Sequence, residues 1–259
     1  MDVPLTRTEH PKRQPSVGRR ATVVAALVFS SALAGRAASA GPPFLTDDPA
    51  PVELGHWEFY LASQWTTARG AASGTAPHVE VNYGALPGLQ LHAIVPATAA
   101  WQSGAPVQYG LGDIELGAKY RFVDEGDRRP QIGVFPLVLL PTGSQQRGLG
   151  TGATQVLLPI WIQKSFGPWT TYGGAGVHLA SGDDDLVVGW LLQRLLFGKL
   201  TLGTEAFFTV PLDGAAVELQ LNVGVIIDFS PRHHVLASAG PAFGGDARAQ
   251  AYLAYQLTI

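Results

Sequence analysis

The sequence predicts an all-β protein, a transmembrane antiparallel up-and-down β-barrel of about 12 strands. Three observations carry that prediction. Apolar and polar residues alternate with a period of two over segments near ten residues long, the composition is apolar yet poor in charge, and an export signal opens the chain. The 259 residues are 46% hydrophobic and 14% charged, with 31 glycines, 19 prolines and no cysteine. Such a chain is no disordered polyelectrolyte. Without cysteine it has no disulfide framework, no Cys-ligated metal and no thiol nucleophile. A net charge of −3 supplies no basic footprint, so nucleic acid is not expected as a partner.

The N-terminus comes first. Arg7, Lys12, Arg13, Arg19 and Arg20 precede the apolar stretch Ala21–Ala34, and Ala38-Ser39-Ala40 then offers a small-residue cleavage site. Residues 1–40 read as a secretory signal peptide. The apolar stretch of 14 residues is shorter than the roughly 20 that a spanning helix needs. Removal takes away six of 17 basic and two of 20 acidic residues, which leaves 11 against 18, a net of −7. An exported, acidic, cysteine-free chain fits the outer membrane of a Gram-negative bacterium. Residues 41–54, with Thr46-Asp-Asp-Pro-Ala-Pro-Val52, form a proline-rich periplasmic segment, either a plug folded into the lumen or a simple leader. Residues 55–259 form the barrel.

Strands are expected near 56–66, 77–84, 89–97, 112–122, 131–140, 154–164, 169–179, 186–196, 200–210, 217–228, 233–240 and 249–258. The alternation is clearest where Ile114, Leu116, Ala118, Tyr120 and Phe122 interleave with Asp113, Glu115, Gly117, Lys119 and Arg121. It recurs where Val217, Leu219, Leu221, Val223, Val225, Ile227 and Phe229 interleave with Glu218, Gln220, Asn222, Gly224, Ile226 and Asp228. A helix would smear the charges around its circumference, whereas a strand sends alternate side chains to opposite faces. The segment 186–196 alternates poorly and its register is open. Leu86-Pro-Gly88, Asp124-Glu-Gly-Asp127, Phe166-Gly-Pro168 and Ser230-Pro-Arg232 mark turns.

The polar parity holds many glycines and few charges, which suits a crowded lumen better than a solvated outer face. Apolar-out, polar-in strands of this length are the transmembrane barrel pattern. Lumen-lining candidates are Glu58, Glu80, Asp113, Glu115, Lys119 and Arg121 in the first half. In the second half they are Gln131, Gln163, Glu205, Glu218, Gln220, Asn222 and Asp228. On the apolar parity, Trp57, Phe59, Tyr83, Tyr120, Phe122, Trp169, Phe229 and Tyr255 fall at the periplasmic rim if the first strand runs outward. Trp65 lies eight residues beyond Trp57, roughly 26 Å along the strand, at the other interface. Connections on the outer side are expected to be the longer ones. The final stretch Tyr252–Ile259 must pair with the strand near Trp57, because an open edge in lipid leaves unpaired backbone.

Several segments resemble a known family in sequence order. Pro43-Phe-Leu-Thr-Asp-Asp-Pro49 followed by Gly55-His-Trp-Glu58 resembles the opening of outer-membrane transporters in the family named MetA-pathway of phenol degradation. Gly110–Phe122 looks like its central motif, Leu140-Pro-Thr-Gly143 and Phe166–Tyr172 are similar to its middle strands, and Leu202-Gly-Thr-Glu205 to a later one. The resemblance implies passage of small hydrophobic or aromatic molecules across the outer membrane.

The expected function is therefore a channel or transporter working by diffusion through the lumen, not an enzyme, with no cofactor and no metal. Its partners would be outer-membrane lipid, the permeant, and the barrel-assembly machinery during biogenesis. Two rivals are a passive structural barrel and an outer-membrane lipolytic enzyme. The latter needs Ser beside His, yet none of the seven histidines has Ser two positions later. His234 and Ser238 share a parity but stand roughly 13 Å apart along a strand. Asp183-Asp184-Asp185 reads as a solvated loop, and the adjacent His233 and His234 point to opposite faces.

Overall fold

A computed structural model of the chain describes residues 43–259. The expected signal peptide over residues 1–40 lies outside the described residues. Fourteen strands form one closed antiparallel sheet. They are β1 (Trp57–Ala68), β2 (Ala71–Leu86), β3 (Leu89–Gln102), β4 (Gln108–Leu111), β5 (Ile114–Val123), β6 (Gln131–Val134) and β7 (Leu137–Leu140). They continue as β8 (Gln155–Phe166), β9 (Trp169–Ala180), β10 (Asp185–Leu196), β11 (Leu200–Pro211), β12 (Glu218–Asp228), β13 (His233–Phe243) and β14 (Ala247–Thr258). A single 3₁₀ turn, Gln145–Arg147, is the helical content among the described residues.

The 14 strands make 12 staves. Strands β4 and β5 both pair with β3 and form one stave, broken at Gly112-Asp113. Strands β6 and β7 both lie between β5 and β8 and form another, broken at Phe135-Pro136. Pro136 has no N–H to give to a ladder. At the first break Asp113 turns its carboxylate to the loop instead, accepting the Gly143 and Thr151 amides. The ring closes where β14 meets β1, from Glu58↔Thr258 to Ala68↔Ala247, with backbone bonds in both directions between Trp57 and Ile259.

Strands run further than the alternation alone indicates. The connection expected over residues 67–76 shrinks to the two-residue turn Arg69-Gly70, because Ala71–Thr75 continues the ladder against Thr66 and its neighbours. Only residues 141–154 form a long loop at that end. At the end where β1 starts and β14 finishes, the turn residues 87–88, 167–168 and 197–199 are short, whereas residues 124–130 form a wider loop.

Solvent exposure sorts the two faces. Leu61, Val79, Leu91, Leu116, Ile160, Ile162, Val223 and Leu253 are exposed on the outer face, each 39% or more. The inner face holds the buried residues, polar and apolar together. In β10 the inward parity is Asp185, Val187, Gly189 and Leu191, all buried. That wall is largely apolar on both sides, which is why the segment shows no clean alternation.

Candidate functional site: an occupied lumen

The segment preceding β1 crosses the barrel interior as a strap. Phe44, Thr46, Asp47 and Pro49 are almost fully buried. Pro43 accepts a hydrogen bond from Ser238 Oγ on β13, and the Thr46 amide donates to Glu205 Oε1 on β11. Asp47 Oδ1 lies 2.8 Å from Lys119 Nζ on β5, and Asp48 lies 3.7 Å from the same ammonium. The Val52 amide donates to Gln90 on β3 at 2.9 Å, and Leu54 bridges to Gly84 on β2. The strap thus touches the wall from β13 round to β2. Its seat is made of glycines. A Cβ on Gly203 or Gly224 would lie 2.6 Å from the Phe44 ring, and one on Gly189 would overlap Thr46. Gly189, Gly203 and Gly224 are therefore the imprint of a second layer of chain, whereas Gly117, Gly174 and Gly176 are crowded by the wall itself.

A polar cluster flanks the strap on β2, β3 and β5. His92 reaches Asn82 at 2.6 Å and Glu115 at 2.9 Å, while Asn82 Nδ2 donates to Glu80 at 2.8 Å and Gln90 Nε2 donates to Asn82 at 2.9 Å. Lys119 sits 4.9 Å from the Phe135 ring centroid, between that face and Asp47. A buried ion pair this well bonded contributes less by its presence than it costs to break. Across the barrel, Glu205 also accepts from Asn222, and Gln220 Nε2 donates to Asn222 and to the Gly240 carbonyl.

The remaining candidates lie near the two mouths. Glu58 accepts from Tyr60 at 2.8 Å, Arg121 pairs with Asp124 at 2.9 Å, and Asp228 lies 2.6 Å from His234 Nδ1. Gln131 is opposite Gln163 in the β6–β8 ladder, and Glu218 is half-buried at the far end. Asp113 stands in the break between β4 and β5 and anchors the 141–154 loop. In the loop after β5, burial tends to raise the Glu125 carboxyl, but hydrogen bonds from Lys164 and Ser165 outweigh it and hold it below its ordinary range.

Sequence reasoning missed the apolar half of the interior. Phe135, Leu137, Leu157, Trp161, Val187 and Phe207 form a buried inward cluster, with Leu45 of the strap packed against it. A second inner cluster joins Tyr60, Ala62, Leu236 and Ala254. The signal was present as strands with no polar parity at all, 134–140 and 156–162, which the search for alternation passes over. Beside the strap a cavity of about 20 Å³ remains, lined by Phe44, Gln64, Ser238, Gln250 and Tyr252 among others. That is room for about one water.

On the outer face, Trp57 stacks on Tyr83 at 4.3 Å and on Phe59 at 5.9 Å. Tyr120, Phe122, Trp169, Phe229 and Tyr255 are exposed at the same end, each at least 40%. Trp65, nearer the far end, donates to Ser63 at 2.9 Å, and Trp101, Tyr109 and Phe243 add aromatic surface there that the sequence reading left out. His234 and Ser238 do not meet, since the one holds Asp228 and the other holds Pro43. Asp184 caps its own turn through the Ala180 amide, and among the described residues no three metal-ligating side chains converge.

These features define a closed β-barrel with an occupied interior. No protein-family model and no curated protein matches the sequence. The fold is similar to the COG4313 outer membrane channel from Pseudomonas putida F1, with a TM-score of 0.63 and 16% identity, covering 82% of this chain and 98% of that one. It is also similar to the KdgM porin, with a TM-score of 0.53 and 8% identity over 76% and 98% of the two chains. The translocator domain of the autotransporter NalP from Neisseria meningitidis gives a TM-score of 0.54 and 14% identity over 80% and 89%.

Proposed function

We propose that the chain is an outer-membrane channel of a Gram-negative bacterium that passes small hydrophobic or aromatic molecules, with residues 43–54 as its plug. The observation that carries the reading is the strap itself. A purely structural barrel could fill its interior with wall side chains alone, whereas this one accommodates a separate segment in a glycine seat and fastens it through Lys119 and a few hydrogen bonds. The apolar and aromatic inner cluster supports a hydrophobic permeant, since it forms a wall on which such a molecule loses no hydrogen bond. The apolar outer face supports a bilayer setting, where a closed ladder is the form of sheet that satisfies every backbone group. The sequence resemblance and the channel-like fold support membership of the MetA-pathway of phenol degradation family.

The test is conductance in planar bilayers together with liposome swelling. Deleting residues 43–54 is expected to raise conductance several-fold over the full mature chain, and swelling should be faster with aromatic than with equally sized polar solutes. The packed interior favours a second reading, a structural barrel. Absence of conductance and swelling in both forms would establish that alternative and overturn the channel.

A further inference from the structure

Along β9 the outer face drops between two ridges. There Thr171, Gly173 and Ala175 lie between the ridge Ile160–Ile162 on β8 and the ridge Val188–Trp190 on β10, as the pairings Ile162↔Gly173↔Trp190 and Ile160↔Ala175↔Val188 require. The result is an open furrow of about 590 Å³ running along the strand. Along its middle the polar groups are spent: Trp190 Nε1 donates to Thr171 Oγ1 at 3.1 Å, and that hydroxyl donates to the Leu191 carbonyl at 2.9 Å. Apart from Lys164 at one end, whose ammonium is held by Glu125 and the Gly126 carbonyl, the furrow is an apolar trough.

One end of the trough differs. In the same columns, toward the end where β14 finishes, Arg194 stands opposite Trp169, its guanidinium 5.0 Å from the ring centroid. Among the described residues no carboxylate pairs with Arg194. Lys164 nearby is already neutralised by Glu125 at 2.8 Å. Lys199 is exposed in the turn that follows β10. An apolar trough that ends at an exposed, unpaired cation on an interfacial tryptophan has the outline of an amphiphile: hydrocarbon above, anion below.

We propose that this furrow is a specific site for a phospholipid with an anionic headgroup, one acyl chain lying between the β8 and β10 ridges and the phosphate on Arg194. Charge complementarity selects this occupant over a second copy of the barrel. A second copy would present the same exposed arginine to its partner in a symmetric contact, whereas a phosphate neutralises it. The assignment rests on the barrel lying in a bilayer and is independent of transport.

Native mass spectrometry of the mature protein in detergent tests it, with phosphatidylglycerol and phosphatidylcholine of identical chains supplied as an equimolar mixture. One phosphatidylglycerol is expected to survive collisional activation at least about fivefold better than phosphatidylcholine. Arg194→Ala should erase that preference and Arg194→Lys should keep part of it. Ala175→Leu, which fills the trough without touching the cation, should reduce retention of both lipids. Equal retention of the two lipids, indifference to both Arg194→Ala and Ala175→Leu, or a lipid-free dimer in place of adducts would each overturn the site. A loss of conductance by these variants has no bearing on it, so the transport reading and this one fail separately.

Discussion

Lys119 holds the strap through Asp47, and each of the two is buried. Replacing it by methionine leaves a carboxylate enclosed without its partner, a change that costs about 3–5 kcal/mol in comparable sites. The strap, having no ladder of its own, is the part free to move in response. Lys119→Met is therefore expected to expose residues 44–49 to hydrogen exchange while β8 to β14 stay protected, and Asp47→Asn in the same background should restore part of the protection. Equal exchange in the strap of both proteins would contradict the clasp. Gly224→Leu attacks the same seat sterically, since a Cβ would already lie 2.6 Å from the Phe44 ring. It should raise conductance without a change on the outer face, and a silent Gly224→Leu channel would count against the plug. Glu125 supplies a pH dependence with a definite sign. Its carboxyl is held below the ordinary value of 4.5, so the Lys164 tether is complete above that value and loosens only as the pH falls below it. The protection of residues 124–130, taken relative to the intrinsic exchange rate at each pH, should be flat from neutral pH down to about 5 and fall in stronger acid, and a fall already near neutral pH would reverse the sign.

Among the elements, β5 and β12 were legible in the sequence because each has one face against water or polar side chains and the other against an apolar medium. Strand β14 offers a direct test of that face assignment. Leu253 is 58% exposed on the outer face, whereas Gln250 points inward and lines the small cavity. Leu253→Arg is expected to cost about 2–4 kcal/mol in urea unfolding from lipid vesicles, as for arginine at the bilayer midplane, with Gln250→Arg within about 1 kcal/mol. Equal costs would sink the assignment. The breaks at Gly112-Asp113 and Phe135-Pro136 were not legible. Nothing local distinguishes Asp113 as a lumen residue from Asp113 as the anchor of a loop 30 positions away. Pro136 reads as an ordinary member of an apolar run until its neighbours in the ladder are known. The glycine seat is the same kind of case. The sequence displays the glycines, but only the fold brings Phe44 to Gly203 and Gly224.

At the scale of the whole molecule, the two ends of the barrel are distinct and their sidedness can be read chemically. The chain has no cysteine, so single-cysteine variants report without background. If the end where β1 starts and β14 finishes lies in the periplasm, a membrane-impermeant maleimide should label Gln146→Cys on intact cells and spare Arg128→Cys, and the opposite pattern would invert the barrel. The ring itself is shut by residues far apart in the chain, with Glu58 opposite Thr258. Until the last strand docks there is no inside, and loop-closure entropy makes such a contact a late one. The strap is joined directly to the first of those two strands and ends up walled in by the others. The nascent cylinder therefore has two routes to its finished form. It can zip around residues 43–49 already laid across it, or it can seal empty and have them threaded back through a mouth. The covalent tether to β1 keeps the segment at that mouth throughout, so a short peptide supplied in trans would be a far poorer stopper than the one the chain carries with it.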